Sequence, residues 1–113
     1  MTDTSDSVLA FRPSPQKAAE IIRKLAADSR NVAWSIHALE RMLERDITDE
    51  MALAVLRNGY VAGEVVPGQN AGEWKVKMTK DIKGRREIGV VTLIIRAQRL
   101  LVKTAEWEDI HVR

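Results

Sequence analysis

The chain has 113 residues, a formal net charge of +2 and no cysteine. This length fits one domain with a single core, and the lack of cysteine excludes disulfides, thiolate metal sites and cysteine nucleophiles. His37 and His111 are too few for a histidine-rich zinc site, no stretch reaches the roughly 20 apolar residues of a membrane span, and no signal peptide is visible, so we expect a cytoplasmic protein with no cofactor and no membrane partner.

The N-terminal part predicts a tail followed by a helix. Residues 1 to 13 are polar and lack periodicity, which indicates a mobile tail before a single domain over 14 to 107, and a second tail is expected at 108 to 113. Ser14 followed by Pro15 is typical of a helix start. Apolar residues then recur at helical spacing and predict a buried face. These residues are Ala18, Ile21, Ile22, Leu25 and Ala26.

Two more helices are predicted before residue 60. Ser35 and Thr48 are suitable N-caps, and Asn58 with Gly59 should end the third helix. Between the two helices, Asp46 is expected to end the second one, because aspartate tolerates the left-handed conformation. The residues predicted to be buried are Ala38, Leu39, Met42 and Leu43 in the second helix, and Met51, Ala52, Val55 and Leu56 in the third.

The remainder of the chain predicts strands. Four stretches, over 60–66, 73–80, 86–95 and 100–107, have strand character, and the third is apolar on both faces, as in a central strand. Residues 31 to 34 look too short for more than a linker or a bridge strand. The sequence therefore predicts an α+β domain in which two to three N-terminal helices pack on one face of a four-stranded antiparallel sheet.

The second helix carries candidate catalytic residues. His37, Arg41 and Arg45 are spaced at i, i+4 and i+8, so they share one helix face. His37 falls in the first turn, where the helix field favours a bound anion and a neutral imidazole. Such a base with guanidinium groups suits metal-free RNA cleavage, in which the 2′-hydroxyl proton is removed and phosphate charge is stabilised. The alternative is a solvated face on which both arginines pair with nearby glutamates.

Basic residues are concentrated in the strand region. Residues 73 to 105 contain nine Lys or Arg against three acids, a local excess of six positive charges. A sheet face with that charge suits a phosphate backbone, although lysines also protect edge strands and turns are often charged. We expect Trp74 and Trp107 to pack in the core or on the sheet. The candidate nucleic-acid-binding residues are Lys75, Lys77, Arg85, Arg86 and Lys103.

The stretch SIHALERMLERDIT, residues 35 to 48, resembles the signature of a widespread bacterial family of domains of unknown function. In that signature a small residue and His-Ala precede Arg-Met and a further Arg, before a helix break and a second capped helix. The resemblance covers about residues 32 to 107. Asp46 departs from it, since glycine is common at that position.

The family is similar in turn to RelE-type and BrnT-type toxins, small ribonucleases with helices on a four-stranded antiparallel sheet and a metal-independent active site. The resemblance implies a ribonuclease toxin with His37, Arg41 and Arg45 at its site, RNA (mRNA or the ribosome) as its target and an antitoxin as its partner.

Two functions follow as hypotheses. The first is a RelE-like, metal-independent endoribonuclease that cleaves RNA by 2′-hydroxyl attack. The second is a non-catalytic module of a mobile element or phage that binds nucleic acid or protein. They differ in whether His37 and the basic strand face meet in one cleft, which depends on which face of the second helix is exposed.

Overall fold

A computed structural model describes residues 11–82 and 86–108 of the chain. Residues 1–10 of the predicted N-terminal tail, Arg85, and residues 109–113 with His111 lie outside the described residues. The helices are α1 (Pro15–Ala26), α2 (Ile36–Glu44) and α3 (Asp49–Asn58), and the strands are β1 (Val32–Trp34), β2 (Tyr60–Val61), β3 (Val66–Pro67), β4 (Glu73–Ile82), β5 (Arg86–Ile95) and β6 (Arg99–Trp107).

The three helices begin where the sequence predicts. The side chains of Ser14, Ser35 and Thr48 each accept a hydrogen bond from the backbone N–H three residues further on, at 3.0, 2.9 and 3.1 Å. These bonds satisfy donors that the first helical turn leaves without a partner. All three predicted caps are confirmed.

The end of α2 depends on a left-handed aspartate. Asp46 has φ of +57°, as predicted, and the N–H of Ile47 donates to the carbonyl of Met42 at 2.9 Å. This is the hydrogen-bond pattern with which helices commonly end, although glycine is the usual left-handed residue there. Ile47 is buried, so the turn directs the chain back into the core before α3 begins.

One mixed sheet contains all six strands, in the order β1-β6-β5-β4-β2, with β3 also paired to β4. The long strands β4, β5 and β6 are antiparallel, as predicted, but β1 pairs with β6 in parallel. The predicted strand at 60–66 is two short strands separated by a turn in which Gly63 has φ of +83°. The predicted α+β fold with a mostly antiparallel sheet is confirmed. The sheet has six strands instead of four, because two- and three-residue strands leave no alternating pattern to recognise.

The helices pack on one face of the sheet, as predicted. A single core cluster contains buried residues from all three helices and from β4, β5 and β6. None of the described helices packs on the opposite face, which we call the open face. The described helices are also too short or too polar to cross a membrane. Buried sheet residues on the helix side are Val76, Met78, Ile88, Val90, Thr92, Ile94, Leu100, Val102 and Ala105.

The buried face of α2 differs from the prediction. Ala38 and Met42 are buried, but Leu39 and Leu43 are 50% and 82% exposed. The prediction that these two leucines are buried was wrong. α2 lies against β6 beside the short edge strand β1, so it meets the protein along a narrow strip of its surface. In α1 and α3, by contrast, the predicted apolar residues are buried or pack against the core.

The turn between β5 and β6 provides a test of backbone strain. Arg96 and Ala97 have φ of +53° and +54°, and the N–H of Gln98 donates to the carbonyl of Ile95 at 2.9 Å. β-turns with positive φ at both central residues favour Asn-Gly, because a Cβ is strained there.

We therefore expect Ala97→Gly to increase the free energy of unfolding by about 0.5–1 kcal/mol and to raise Tm by roughly 2–8 °C in a thermal melt. The matched control is Ala27→Gly, where φ is −59°, so glycine relieves no strain and should not raise Tm. A lower Tm for Ala97→Gly would contradict the assignment of strain to this turn.

Candidate functional site

Arg45, a predicted catalytic residue, joins the end of α2 to β6. Its Nη1 donates to the backbone carbonyl of Ala105 at 2.9 Å, and its own carbonyl accepts a hydrogen bond from Nε1 of Trp107 at 2.7 Å. β1 pairs only with residues 100–102, so the outer edge of β6 beyond them needs other partners. Arg45 thus has a structural role that explains its position.

The beginning of α2 is held to the same strand. The N–H of Ser35 donates to the carbonyl of Val102 at 3.0 Å, and its hydroxyl donates to the carbonyl of Lys103 at 3.3 Å. Both ends of the helix therefore bind the backbone of β6. This arrangement fixes the orientation of α2 and with it the direction of every side chain on the helix.

The other two residues of the predicted catalytic face differ in their surroundings. Arg41 donates to the carboxylate of Glu44 at 2.8 Å, the solvated pairing considered from the sequence. His37 lies in the first turn of α2, as predicted, and is exposed. Within the described ranges, no hydrogen bond or ion pair involves its imidazole. Catalytic roles for these three residues stay a prediction.

Lys77, on β4, is neutralised by two carboxylates. Its Nζ lies 2.6 Å from Oε1 of Glu108 and 3.6 Å from Oε2 of Glu106. Burial disfavours the charged ammonium, but the hydrogen bonds and charges of both carboxylates outweigh it and raise the pKa of Lys77. The lysine is thus a poor partner for a phosphate, since its charge is already paired.

Gly89 explains how this ion pair spans the sheet. It lies on β5, between β4 and β6, and a Cβ there would come within 2.7 Å of Lys77 Cε and 2.6 Å of Glu108 Oε2. The charge count over residues 73–105 does not indicate this pair, because Glu106 and Glu108 follow directly after that range. Only the register of three strands shows that these acids lie beside Lys77.

Arg86, another of the predicted nucleic-acid-binding residues, contacts a tryptophan. Its guanidinium lies over the ring of Trp107, 4.1 Å from the centroid, in a cation–π contact. Trp107 packs against the core, as predicted, as does Trp74. Arg86 therefore covers the tryptophan that binds the end of α2. Arg85, the remaining arginine of the predicted basic set, lies outside the described ranges.

Lys75 and Lys103 line a groove on the open face. The register places Lys75 of β4 opposite Leu93 of β5, and Leu93 opposite Leu101 of β6, so the two leucines form an apolar floor. Both lysines are exposed, and they belong to strands about 10 Å apart. The groove has a volume of about 360 Å³, and residues 67–70 form its end. We call it the open-face groove.

The end of the groove is held in place by Glu73. The backbone N–H and side-chain amide of Asn70 donate to its carboxylate at 3.3 and 3.0 Å. Gly68 lets the loop come close, because a Cβ there would lie 2.7 Å from Glu73 Cβ and 3.3 Å from Leu93 Cδ2. Glu73, the acid among the residues that line the groove, is thus engaged by the loop. Nothing in the sequence between the predicted strands at 60–66 and 73–80 indicates a binding feature.

The predicted residues do not all meet in one place. Lys75 and Lys103 share the open-face groove, while His37, Arg41 and Arg45 are not among the residues that line it. Among the described residues, no group of three or more His, Asp or Glu could hold a metal ion. The groove combines an apolar floor with two ammonium groups, which suits a ligand with a flat apolar part and neighbouring anionic groups.

The chain belongs to the family described as a domain of unknown function (DUF4258), which matches residues 34–112. No curated protein and no solved structure matches it. The match begins at the end of β1 and includes α2, α3 and the rest of the sheet, whereas α1 precedes it. The resemblance to a family of domains of unknown function is confirmed, and the similarity to RelE and BrnT toxins stays a prediction.

The structural role of Arg45 can be separated from that of Arg41. We expect Arg45→Ala to lower the free energy of unfolding by about 1–2 kcal/mol, because the Ala105 carbonyl then loses a charged donor. The control, Arg41→Ala, removes an exposed ion pair and should change it by less than about 0.5 kcal/mol. Urea unfolding measures both, and equal values for the two variants would contradict this assignment.

Proposed function

We propose that this protein is a nucleic-acid-binding module that holds single-stranded RNA in the open-face groove without cleaving it. The observation that carries the proposal is the placement of Lys75 on β4 and Lys103 on β6, the two strands that flank Leu93, in one groove with the Leu93 and Leu101 floor. Lysine ammonium groups bind phosphates as point charges, and an apolar floor contacts the face of a base. Both parts of a nucleotide therefore have a partner in one groove.

The dimensions of the groove favour a single strand over a duplex. A volume of about 360 Å³ suits about one nucleotide, and a base can enter it only when it is unstacked from its neighbours. The leucines offer no hydrogen bonds to base edges, so binding should depend little on sequence. RNA is the nucleic acid that the family resemblance implies, and we take it as the first ligand to test.

The metal-independent ribonuclease is a second candidate, favoured by one observation. His37 is exposed in the first turn of α2 and, among the described residues, makes no hydrogen bond, so its imidazole is accessible. Against this, Arg45 binds a backbone carbonyl and Arg41 binds Glu44, so both guanidinium groups already have partners. Only this second function, that of a toxin, calls for an antitoxin as partner.

RNA binding should depend on Lys75 and Lys103 but not on Lys77, although all three were predicted from the sequence as binding residues. We expect Lys75→Ala and Lys103→Ala each to weaken binding of a fluorescein-labelled 12-nucleotide uridine RNA about three- to tenfold at roughly 50 mM salt. Each should also reduce the slope of log K against log salt by about 0.7, the value for one phosphate contact on a single strand. Fluorescence anisotropy measures both quantities.

Lys77→Ala is the matched control for these variants. It lies on the same strand as Lys75, but its charge is paired with Glu106 and Glu108, so affinity should change less than about twofold. Equal losses for Lys77→Ala and Lys75→Ala would contradict the assignment of the groove. Absence of binding by the wild-type protein at low salt would remove the proposed function altogether.

Cleavage is tested separately from binding. With RNA in excess EDTA, we expect the wild-type protein to leave the substrate intact on a denaturing gel, and His37→Ala to bind the uridine RNA with unchanged affinity. Cleavage that His37→Ala abolishes, with an unchanged Tm, would overturn the non-catalytic proposal in favour of the ribonuclease. Cleavage that persists in His37→Ala would overturn it too, and would also exclude His37 as the base.

A further inference from the structure

The open-face groove has room for about one nucleotide, so a longer RNA extends beyond it across the sheet. Along the direction of β4, β5 and β6, the RNA can leave the groove toward either of two turns. One turn connects β4 to β5, and the other connects β5 to β6. The charges of the open face differ between these two directions, and this difference indicates which one the RNA follows.

The open face is acidic toward the turn between β4 and β5. Lys77 lies there with the carboxylates of Glu106 and Glu108, which already pair with it. The alternation of β4 places Asp81 on the same face, and the register places Glu87 opposite it. Among the described residues that the strands direct to this part of the open face, one positive charge stands against four negative charges. A phosphate backbone is repelled in this direction.

In the other direction, toward the turn between β5 and β6, the open face carries an arginine. Arg99 is the first residue of β6 and lies opposite Ile95 of β5. Leu100 is buried on the helix side, so the alternation of β6 directs Arg99 to the open face, as it does Leu101 of the groove floor. Arg99 is exposed, and no hydrogen bond or ion pair with another described residue involves its guanidinium. Its charge is therefore accessible to a ligand.

Glu73 is the acid in the same cross-strand row as Arg99, but it does not pair with the arginine. The row runs from Glu73 through Ile95 to Arg99, so the two charged residues belong to strands about 10 Å apart. The carboxylate of Glu73 accepts two hydrogen bonds from Asn70 instead. The loop thus holds this acid on the β4 side of the open face, and the β6 side is left to the arginine.

We propose that Arg99 binds the phosphate next to the nucleotide held in the groove, so that the RNA runs along β6 toward the turn between β5 and β6. This inference rests on the proposed function and extends that site by one nucleotide. Arg99 lies two residues from Leu101, or about 7 Å along the strand, which is within one nucleotide step of an extended chain. Its planar guanidinium can bind two phosphate oxygens at once, whereas the lysines of the groove act as point charges.

Fluorescence anisotropy with the labelled 12-nucleotide uridine RNA tests the contact. We expect Arg99→Ala to weaken binding about three- to tenfold at roughly 50 mM salt, and to reduce the slope of log K against log salt by about 0.7. Arg99→Lys keeps the charge, so it should keep the slope of the wild-type protein. The matched control is Lys24→Ala, which removes the same charge from an exposed position on α1, and affinity should change less than about twofold.

The side-chain Nε–H resonance of Arg99 reports the direction that the RNA follows. In ¹⁵N-labelled protein, addition of the uridine RNA should shift this resonance. The backbone amides of Thr79 and Gly89, which lie opposite each other toward the acidic part of the open face, should change little. In Arg99→Ala, the amide shifts of Leu93 and Leu101 should persist at higher RNA concentration, because the groove itself is intact.

The failure of this inference is distinguishable from the failure of the proposed function. If Lys75→Ala and Lys103→Ala weaken binding but Arg99→Ala does not, the inference is overturned and the groove remains. Equal losses for Arg99→Ala and Lys24→Ala would reduce the effect to net charge and would overturn it too. Large shifts at Thr79 and Gly89 would place the RNA in the opposite direction. Absence of binding by the wild-type protein would remove both proposals.

Discussion

The attachment of α2 to the outer edge of β6 determines which side chains of this helix are exposed and which are engaged. β1 covers only the first part of that edge, and the hydroxyl of Ser35 and guanidinium of Arg45 bind carbonyls beyond it. The indole of Trp107 adds a bond back to the end of the helix. These contacts stabilise an edge that would otherwise offer unpaired groups to other chains. They also engage Arg45, one of the three polar residues for which a catalytic face was predicted.

The same attachment leaves three large apolar side chains of α2 exposed. A helix over the middle of a sheet buries a broad stripe, whereas α2, bound at the margin, buries only Ala38 and Met42. Its remaining large apolar residues, Ile36, Leu39 and Leu43, are exposed. The open-face groove, on the other side of the sheet, depends on different features. These are the cross-strand row from Lys75 to Leu101 and the loop that Glu73 holds.

Local features of the fold could be predicted from the sequence. The three helix caps were predictable because a hydroxyl side chain directly precedes each helical pattern, at Ser14, Ser35 and Thr48. The left-handed conformation of Asp46 was predictable because aspartate tolerates it. The buried residues of α1 and α3 follow from the helical spacing of their apolar residues alone. The three long strands are also found from their own residues, as alternating or continuous apolar runs. Each of these signals is contained within a few residues of the chain.

The remaining features depend on contacts between distant segments. The exposure of Leu43 follows from the edge position of α2, and the choice between a linker and a short strand at residues 31–34 depends on β6, which lies beside them. The pairing of Lys77 with Glu108 requires the register across β5 and the small size of Gly89. Charge counts along the chain cannot therefore separate Lys77 from Lys75. The partners of Arg41 and Arg45, which are Glu44 and the Ala105 carbonyl, are what moves the favoured function from catalysis to binding.

The most direct measurement of the central claim is a titration of ¹⁵N-labelled protein with the uridine RNA, followed by amide chemical shifts. If the open-face groove holds the strand, the largest shifts should fall on residues 68–70, Leu93 and Leu101, with little change along 36–44. Largest shifts at His37 and the first turn of α2, with the groove unchanged, would contradict the account.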